Sequence, residues 1–144
     1  ALGWRCQTRI IAKEELMKIP VLGFLLGKAG IIGIKRGKAD VAAIKEAMRV
    51  LHNGEKLLLF PEGTRVKEGE NAAAHTGAAM FATRTGTMLL PVYISPKKKL
   101  FRKTRVVFGK PYAPVYEGRK AGPEDYQRIA DDLMDRIHHL GGSV

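Results

Sequence analysis

The stretch Leu57-Leu58-Leu59-Phe60-Pro61-Glu62-Gly63-Thr64-Arg65 changes abruptly from an apolar run to a polar turn. The four apolar residues predict a buried β-strand, and Pro61 ends it because proline has no N–H group to donate to a neighbouring strand. The residues that follow supply a carboxylate, a flexible backbone, a hydroxyl and a guanidinium that can bind a phosphate through two hydrogen bonds. Ligands of open α/β sheets bind where strands end. The stretch therefore predicts an α/β sheet with a ligand site at the end of this strand.

The residues before this stretch predict a strand and a helix, which complete a strand–helix–strand unit of the kind that forms parallel sheets. Gly30–Ile34 is the first strand of the unit. Asp40 is a suitable N-cap for a helix that runs to about Asn53, where Gly54 stops it. Helical spacing predicts that the core-facing side of this helix consists of Val41, Ile44, Met48 and Leu51.

The other segments predict a compact set of further elements around this unit. They are a strand over 9–12, a helix over 75–85, a strand over 88–94 in which Pro91 indicates an edge or a bulge, a strand over 106–108, and a helix over 123–141. A chain of 144 residues is long enough for one core. We expect residues 1–144 to form a single α/β domain with a mixed, mostly parallel sheet flanked by helices.

Three cations follow predicted strands. Lys13, Arg36 and Arg65 each come at or after a strand end, and the carboxyl ends of parallel strands meet at one edge of a sheet. Together with Glu62, they would form a phosphate-binding pocket. Ordinary surface charges explain the same pattern about equally well, because the chain contains 25 lysines and arginines.

The charge balance predicts an anionic partner. With 25 Lys and Arg against 14 Asp and Glu, the formal net charge is +11, which suits nucleic acid, an anionic membrane or a phosphorylated substrate. Six of these cations lie between Lys97 and Arg105, where a solvated loop and a bilayer-binding loop are both consistent with the sequence. The single cysteine, Cys6, excludes an internal disulfide and a cysteine-based metal site, and it favours a reducing compartment.

The histidines give no sign of a catalytic dyad or a metal site. His52, His75, His138 and His139 have no acidic residue at a spacing that suggests either one, although His75 is notable because it follows the polar turn and begins a helix. The sequence also contains no GxxxxGK[ST] or strand-linked GxGxxG phosphate loop, which disfavours nucleotide chemistry. We expect no metal and no bound cofactor.

Five segments together resemble the sequence blocks of the PlsC-like glycerolipid acyltransferases, the lysophosphatidic acid acyltransferase type. Phe60–Arg65 resembles the signature block of that family. The resemblance extends over roughly residues 9 to 115 in the family's order and approximate spacing. The other similar segments are Ala12–Leu16 with Ile19-Pro20, Gly33–Gly37, Thr76–Ala79 and Leu90–Ile94.

This resemblance implies a glycerol-3-phosphate acyltransferase-like fold and an acyl transfer reaction. The acyl group would pass from acyl-CoA or acyl carrier protein, which are co-substrates rather than cofactors, to the sn-2 hydroxyl of 1-acylglycerol-3-phosphate. The product would be phosphatidic acid in phospholipid biosynthesis. The implied partners are lysophosphatidic acid, the acyl donor and an anionic membrane surface at the cytoplasmic face of the cell membrane, with no role for nucleic acid.

The resemblance also implies roles for individual residues. Arg36 and Arg65 would hold the phosphate of the acceptor, assisted by Lys13, and Gly37 belongs to the same block as Arg36. The remaining roles are positioning of the glycerol by Glu62 and Gly63, shaping of the turn by Thr64, and support of the acyl or thioester side by Pro91.

One expected block is absent from the sequence. The family's catalytic block is HxxxxD, in which the His deprotonates the attacking hydroxyl and the Asp orients the His, and it lies upstream of the segment around Lys13. No HxxxxD pair occurs in the 144 residues. We therefore expect an N-terminally truncated acyltransferase that holds the acceptor site, contains no catalytic residue, lacks the family's N-terminal membrane anchor and is inactive alone.

Two alternatives remain open at this stage. One is an acyltransferase that acts on another lysophospholipid, since the sequence does not fix the head group of the acceptor. The other is a non-catalytic basic module that binds a membrane or nucleic acid. The cations of Lys97–Arg105 favour this second alternative, whereas the few aromatic residues and the lack of an RNA-binding or helix-turn-helix pattern argue against nucleic acid.

Overall fold

The computed structural model describes residues 8–13, 31–34, 40–61, 75–95 and 104–142, with the side chains of all except 12, 13 and 34. The chain divides into two compact units, residues 1–60 and 61–144, and the expectation of one domain over 1–144 stays a prediction. The described helices and strands alternate as an α/β fold requires, which confirms the predicted class. They are β1 (Thr8–Lys13), β2 (Ile31–Ile34), α1 (Val41–His52), β3 (Lys56–Leu58), α2 (Gly77–Thr85), β4 (Val92–Ile94), β5 (Val106–Phe108) and α3 (Pro123–Gly142).

The first unit contains a three-stranded parallel sheet in the order β2-β1-β3. β1 is the central strand, and it pairs Ile10 with Ile31 on one side and with Leu58 on the other. Helix α1 connects β2 to β3 and packs on both of them. This is the strand–helix–strand arrangement that the sequence predicts, and it places β2 and β3 at the two edges of the sheet.

Local hydrogen bonds fix both ends of α1. The Asp40 carboxylate accepts a hydrogen bond from the N–H group of Ala43 at 3.1 Å, as expected of an N-cap. At the other end Gly54 has φ +76°, a conformation that favours glycine. The N–H of Gly54 donates to Leu51 O and the N–H of Glu55 donates to Val50 O, which together form a Schellman motif. This turn sends the chain directly into β3.

The buried side of α1 differs from the predicted one. Its buried residues are Ala43, Ala47 and Val50, whereas Val41 is 57% exposed. Ile44, Met48 and Leu51 are only half-buried. Small alanine side chains allow a helix to approach a sheet closely, so the closest contact forms along the alanines rather than along the largest apolar residues.

The strand within the opening stretch is also less buried than predicted. β3 spans Lys56–Leu58, and exposure alternates along it and the residues that follow, with Leu57 and Leu59 half-buried and Leu58 and Phe60 exposed. β3 is an edge strand with one described neighbour, β1. Alternation is the pattern expected where only one face of a strand is covered.

The second unit contains an antiparallel pair, β4 and β5, packed on α3. The predicted strand over 88–94 is divided at Pro91, which has no N–H group: Leu89 forms an isolated bridge with Tyr112, and β4 begins at Val92. The carbonyl of Pro91 accepts a hydrogen bond of 2.9 Å from the N–H of Gly109, which holds the two segments together just before β4.

Helices α2 and α3 provide the core of the second unit. They pack against each other, and α2 ends at Gly86, where φ is +67° and the N–H of Thr87 donates to Ala82 O. The three alanines of α2 permit a close helix–helix contact. The buried residues are Ala78, Ala79, Phe81 and Ala82 of α2 and Ile129, Ala130, Leu133 and Met134 of α3. Among the described helices, none combines the length and hydropathy needed to cross a bilayer.

A tyrosine lies beneath an ion pair on α3. The Arg136 guanidinium stacks over the Tyr112 ring at 4.0 Å from its centroid, and Arg136 Nε donates to Asp132 Oδ2 at 2.8 Å. The Tyr112 hydroxyl is shielded from solvent and has no hydrogen-bond partner among the described residues. Burial, and next the nearby Asp132 charge, raise the pKa of Tyr112 to about 12.

We expect Tyr112→Phe to leave the free energy of unfolding unchanged, or to raise it by about 1 kcal/mol, because a shielded hydroxyl without a partner contributes a desolvation cost. In the unfolded chain a tyrosine has a pKa near 10, so the folded protein holds this proton more tightly. Below pH 10 both states keep this proton and stability does not depend on it, whereas stability is lost as the pH rises from 10 towards 12, because the unfolded chain ionises first. Urea unfolding at pH 8 and pH 11 should show that the Phe variant loses less stability than the native chain.

Candidate site at the carboxyl edge of the parallel sheet

The parallel pairing brings three strand ends to one edge of the sheet. Lys13, the last residue of β1, pairs with Ile34, the last residue of β2. On the other side, Ile10 pairs with Leu58, the last residue of β3. The pairing therefore brings the ends of β1 and β2 level with each other, whereas β3 ends three residues earlier, beside Ile10.

Two of the predicted phosphate-binding residues belong to adjacent strand ends. Arg36 follows Ile34 by two residues in the sequence. Neighbouring strands are about 5 Å apart, and both side chains are long. The register places the last residue of β1 beside the strand end that precedes Arg36 in the sequence, and binding of one phosphate by Lys13 and Arg36 stays a prediction. The side chain of Lys13 and the whole of Arg36 and Gly37 lie outside the described part of the structure.

The polar turn itself is also outside the described residues. This applies to Glu62, Gly63, Thr64 and Arg65, so their proposed contacts with the acceptor remain predictions. The described chain resumes at His75, whose N–H donates a hydrogen bond of 2.8 Å to the carbonyl of Pro61. The two described residues that flank 62–74 are therefore hydrogen-bonded to each other.

An ion pair with a structural role lies at the amino ends of β1 and β3, on the side of the sheet opposite the candidate site. Arg9 Nε donates to Glu55 Oε2 at 3.0 Å, and both side chains are mostly shielded from solvent. Arg9 lies near the start of β1, and Glu55 directly precedes β3. This pair supports the β1–β3 register from the amino edge, and it removes one of the 25 cations from consideration as a phosphate ligand.

Pro91 lies in a packed part of the second unit. It is buried, and a Cβ atom added to Gly109 would come within 2.9 Å of Pro91 Cγ and 3.2 Å of Leu140 Cδ1. These contacts show that Pro91 is part of the packing between β4, β5 and α3. Its role in supporting the acyl or thioester group stays a prediction.

A groove in the second unit lies between residues 112–115 and α3. This groove has a volume of about 400 Å³. Its two arginines are neutralised by carboxylates, Arg128 by Asp125 at 2.7 Å and Arg136 by Asp132 at 2.8 Å. Balanced charge of this kind gives no particular affinity for a phosphate. Its residues form no recognisable motif, so the sequence offers no signal for it.

The histidines of the described part do not form a catalytic pair. All four are exposed. The rings of His52 and His139 lie 2.8 and 2.7 Å from backbone carbonyls one helical turn earlier, those of Met48 and Asp135. Within the described residues, no three His, Cys, Asp or Glu side chains are grouped so that they could hold a metal ion.

Comparison with known proteins identifies the family. The family model described as Acyltransferase matches residues 1–95, about two thirds of the chain. A 1-acyl-sn-glycerol-3-phosphate acyltransferase of Borreliella burgdorferi is 34% identical over 140 residues, covering 92% of this chain and 56% of the relative. A lyso-ornithine lipid O-acyltransferase of Pseudomonas aeruginosa is 35% identical over 99 residues, covering 67% of this chain and 38% of the relative.

A solved structure supports the same assignment. The fold is similar to that of the 1-acyl-sn-glycerophosphate acyltransferase PlsC from Thermotoga maritima, with a TM-score of 0.65 and 26% sequence identity. The alignment covers 94% of this chain and 57% of that structure, so the chain spans a little over half the length of such relatives. The matching family model, the similar sequences and the shared fold agree, and the chain belongs to the Acyltransferase family.

Proposed function

We propose that this chain forms the acceptor-binding part of an acyltransferase. The enzyme transfers an acyl group from acyl-CoA or acyl carrier protein to the sn-2 hydroxyl of 1-acylglycerol-3-phosphate and so produces phosphatidic acid. The observation that carries the proposal is the register at the carboxyl edge, which pairs Lys13 with Ile34 two residues before Arg36. The relatives named as acyltransferases of 1-acylglycerol-3-phosphate support the choice of acceptor.

In this proposal the chain binds and orients the acceptor. Arg36 and Arg65 hold the phosphate, because a guanidinium can donate two parallel hydrogen bonds to phosphate oxygens. Lys13 adds a point charge, and Glu62 with Gly63 positions the glycerol. Fixing the phosphate fixes the direction of the sn-2 hydroxyl three bonds further along the glycerol, which lowers the entropic cost of the attack on the thioester.

The base that removes the proton from this hydroxyl is not assigned to this chain. No HxxxxD pair occurs in the 144 residues, and the four histidines are exposed. A general base works best when a second group orients it at the reacting atom. We propose that a His-Asp pair of the HxxxxD type supplies this base.

We expect the 144-residue chain, expressed alone, to show no acyl transfer from acyl-CoA or acyl carrier protein to lysophosphatidic acid. General base catalysis typically contributes about 10²- to 10⁴-fold, so its absence should reduce turnover at least to that extent. A version that includes an upstream HxxxxD block is the active control. Turnover by the chain alone at the rate of this control would contradict the proposal and direct attention to His75, whose replacement by Ala would then abolish activity.

A second acceptor is favoured by one comparison. The similarity to a lyso-ornithine lipid O-acyltransferase covers about two thirds of the chain. A lyso-ornithine lipid has an amino-acid head group in place of the glycerol phosphate, so an enzyme that acts on it would not depend on phosphate-binding arginines. Comparing the two acceptors in a version with the HxxxxD block separates these candidates.

The partners and location follow from the proposed reaction. Lysophosphatidic acid is an amphiphile, so we propose that the protein acts at an anionic membrane surface on the cytoplasmic side and that nucleic acid is not its partner. The net charge of +11 supports attraction to anionic lipid, where each cation near the surface contributes about 1 kcal/mol. The charge alone would also permit binding to DNA, so binding to anionic vesicles and to duplex DNA should be compared at two salt concentrations, and a preference for DNA would contradict the proposal.

A further inference from the structure

The turn that ends α1 contains an Asn-Gly pair. Asn53 is the C-cap of the helix and Gly54 follows it, and both residues are exposed. In an Asn-Gly sequence the backbone nitrogen of the glycine can attack the Cγ atom of the asparagine side chain, because glycine has no Cβ atom to obstruct the approach. The chain has one other asparagine, Asn71, and alanine follows it. Asn53 is therefore the asparagine whose sequence favours this reaction.

The reaction is a deamidation that needs only water as a co-reactant. A bond forms between Gly54 N and Asn53 Cγ, and the bond between Asn53 Cγ and Nδ2 breaks. The proton of the Gly54 N–H group passes through solvent to the departing nitrogen, which leaves as ammonia. Water then opens the resulting succinimide at one of its two carbonyl groups. One opening gives aspartate, and the other gives isoaspartate, in which the main chain runs through the side-chain carbon atoms.

The fold holds the Asn-Gly pair in an unreactive conformation. The N–H of Gly54 donates to Leu51 O at 3.0 Å, and the N–H of Glu55 donates to Val50 O at 3.1 Å. Asn53 has ψ 2°, which turns the Gly54 nitrogen away from the Asn53 side chain. Ring closure requires rotation about the Asn53 Cα–C bond, and this rotation breaks the hydrogen bonds of the Schellman motif. The reaction therefore proceeds only while the end of α1 is open.

Opening of this end costs less than unfolding of the whole unit. Val50 is buried, whereas His52, Asn53 and Gly54 are all exposed. Helix ends with few buried apolar contacts open locally, without global unfolding. From these observations we propose that Asn53 is a site of spontaneous deamidation in the folded protein, and that opening of the α1 end sets its rate. The proposal goes beyond acyl transfer and does not depend on it.

Both products weaken the junction between α1 and β3. Aspartate formation adds a negative charge beside the last carbonyl groups of α1, which form the negative end of the helix dipole. It also lies two residues from the Glu55 carboxylate, which accepts a hydrogen bond from Arg9 at 3.0 Å. Isoaspartate formation adds one main-chain atom just before β3, where Thr8 pairs with Lys56. Deamidation is therefore expected to loosen the pairing of β1 with β3, the strand that leads to the candidate site.

The rate of deamidation is measured in the 144-residue chain and in a synthetic peptide with the sequence of residues 50–56, both at pH 8.5 and 37 °C. Trypsin releases the same segment from the chain, because the segment follows Arg49 and ends at Lys56, so mass spectrometry compares the two directly. We expect conversion of Asn53 in the folded chain to be roughly ten- to a hundredfold slower than in the peptide. Equal rates would overturn control by the turn. An Asn53 that stays intact in the folded chain for a hundred peptide half-lives would overturn the modification site itself.

Two valine variants of α1 test whether opening of the helix end sets the rate. Val50→Ala removes packing from the last turn, where Val50 is 1% exposed, and it should speed deamidation several-fold towards the peptide rate. Val41→Ala makes the same change at the other end of α1, where Val41 is 57% exposed, and it should leave the rate within twofold. An equal rate in Val50→Ala and the native chain would contradict the proposal. If Val50→Ala does not fold, the comparison of the native chain with the peptide still decides.

The consequence of the modification is tested with two variants of Asn53. Asn53→Asp reproduces one of the two products, and Asn53→Gln keeps the neutral amide. Urea unfolding should show a lower midpoint for Asn53→Asp than for Asn53→Gln, because the added charge lies at the negative end of α1. Equal midpoints would contradict the expected weakening of the junction.

Discussion

Arg65→Ala, made in a version of the protein that contains the HxxxxD block, is expected to lower kcat/KM for lysophosphatidic acid by roughly 10²-fold. Removing one partner of a charged, hydrogen-bonded pair typically costs about 2–5 kcal/mol, and a hundredfold loss corresponds to about 2.7 kcal/mol, within this range. Arg65→Lys keeps the charge but cannot donate two parallel hydrogen bonds, so we expect a smaller loss of roughly tenfold. Steady-state kinetics at varied acceptor concentration provide the measurement.

The acceptor phosphate provides the decisive control. With 1-acylglycerol, which has no phosphate, the native enzyme should be slow and Arg65→Ala should cause no further loss. Arg119→Ala lowers the net charge by the same amount at an exposed position in the second unit, and it should leave kcat/KM within twofold. An equal effect of Arg65→Ala on both acceptors would contradict the phosphate role. If the native enzyme acts on a lyso-ornithine lipid and Arg65→Ala retains full activity on that lipid, the result would favour the second acceptor.

Signals that act over a few residues predicted the bounds of the elements well. Asp40 and Gly54 set the ends of α1 to within one residue, because N-caps and Schellman motifs involve only neighbouring backbone groups. Pro91 likewise indicated the interruption before β4. The resemblance to acyltransferase blocks, which rests on residues rather than on structure, is confirmed by the family match.

Features that depend on contacts between distant segments were predicted less well. Helical spacing predicts that Val41 faces the core, yet Val41 is exposed and the buried residues of α1 include Ala43 and Ala47. The distance between the helix and the sheet decides which residues are covered, and this distance depends on contacts between separate segments. The parallel order followed from the strand–helix–strand pattern, whereas the pairing of Lys13 with Ile34 could not be derived from either strand alone. The groove beside Tyr112 depends on residues from two separate segments and had no local pattern.

Gly141→Ala is expected to destabilise the second unit by about 1–3 kcal/mol, although alanine is the better helix former. In an unconstrained helix interior this substitution would be favourable by about 1 kcal/mol. Here the new Cβ atom would lie 2.5, 2.7 and 2.9 Å from three atoms of the Tyr93 ring, distances that real Cβ contacts essentially never show. The half-buried Tyr93 ring, the helix or the strand must therefore shift to admit the new Cβ atom.

Gly142→Ala is the matched control for this prediction. It makes the same substitution at the next residue of α3, and nothing lies within 4 Å of the added Cβ, so we expect no loss of stability. Urea unfolding should show a lower midpoint for Gly141→Ala alone, with an unchanged m-value. In a Tyr93→Ala background the Gly141→Ala substitution should no longer destabilise the protein, because Tyr93→Ala removes the ring that the new Cβ atom would meet. A double-mutant cycle measures this difference. Equal stability of the two glycine variants in the native background would contradict the contact between the end of α3 and Tyr93.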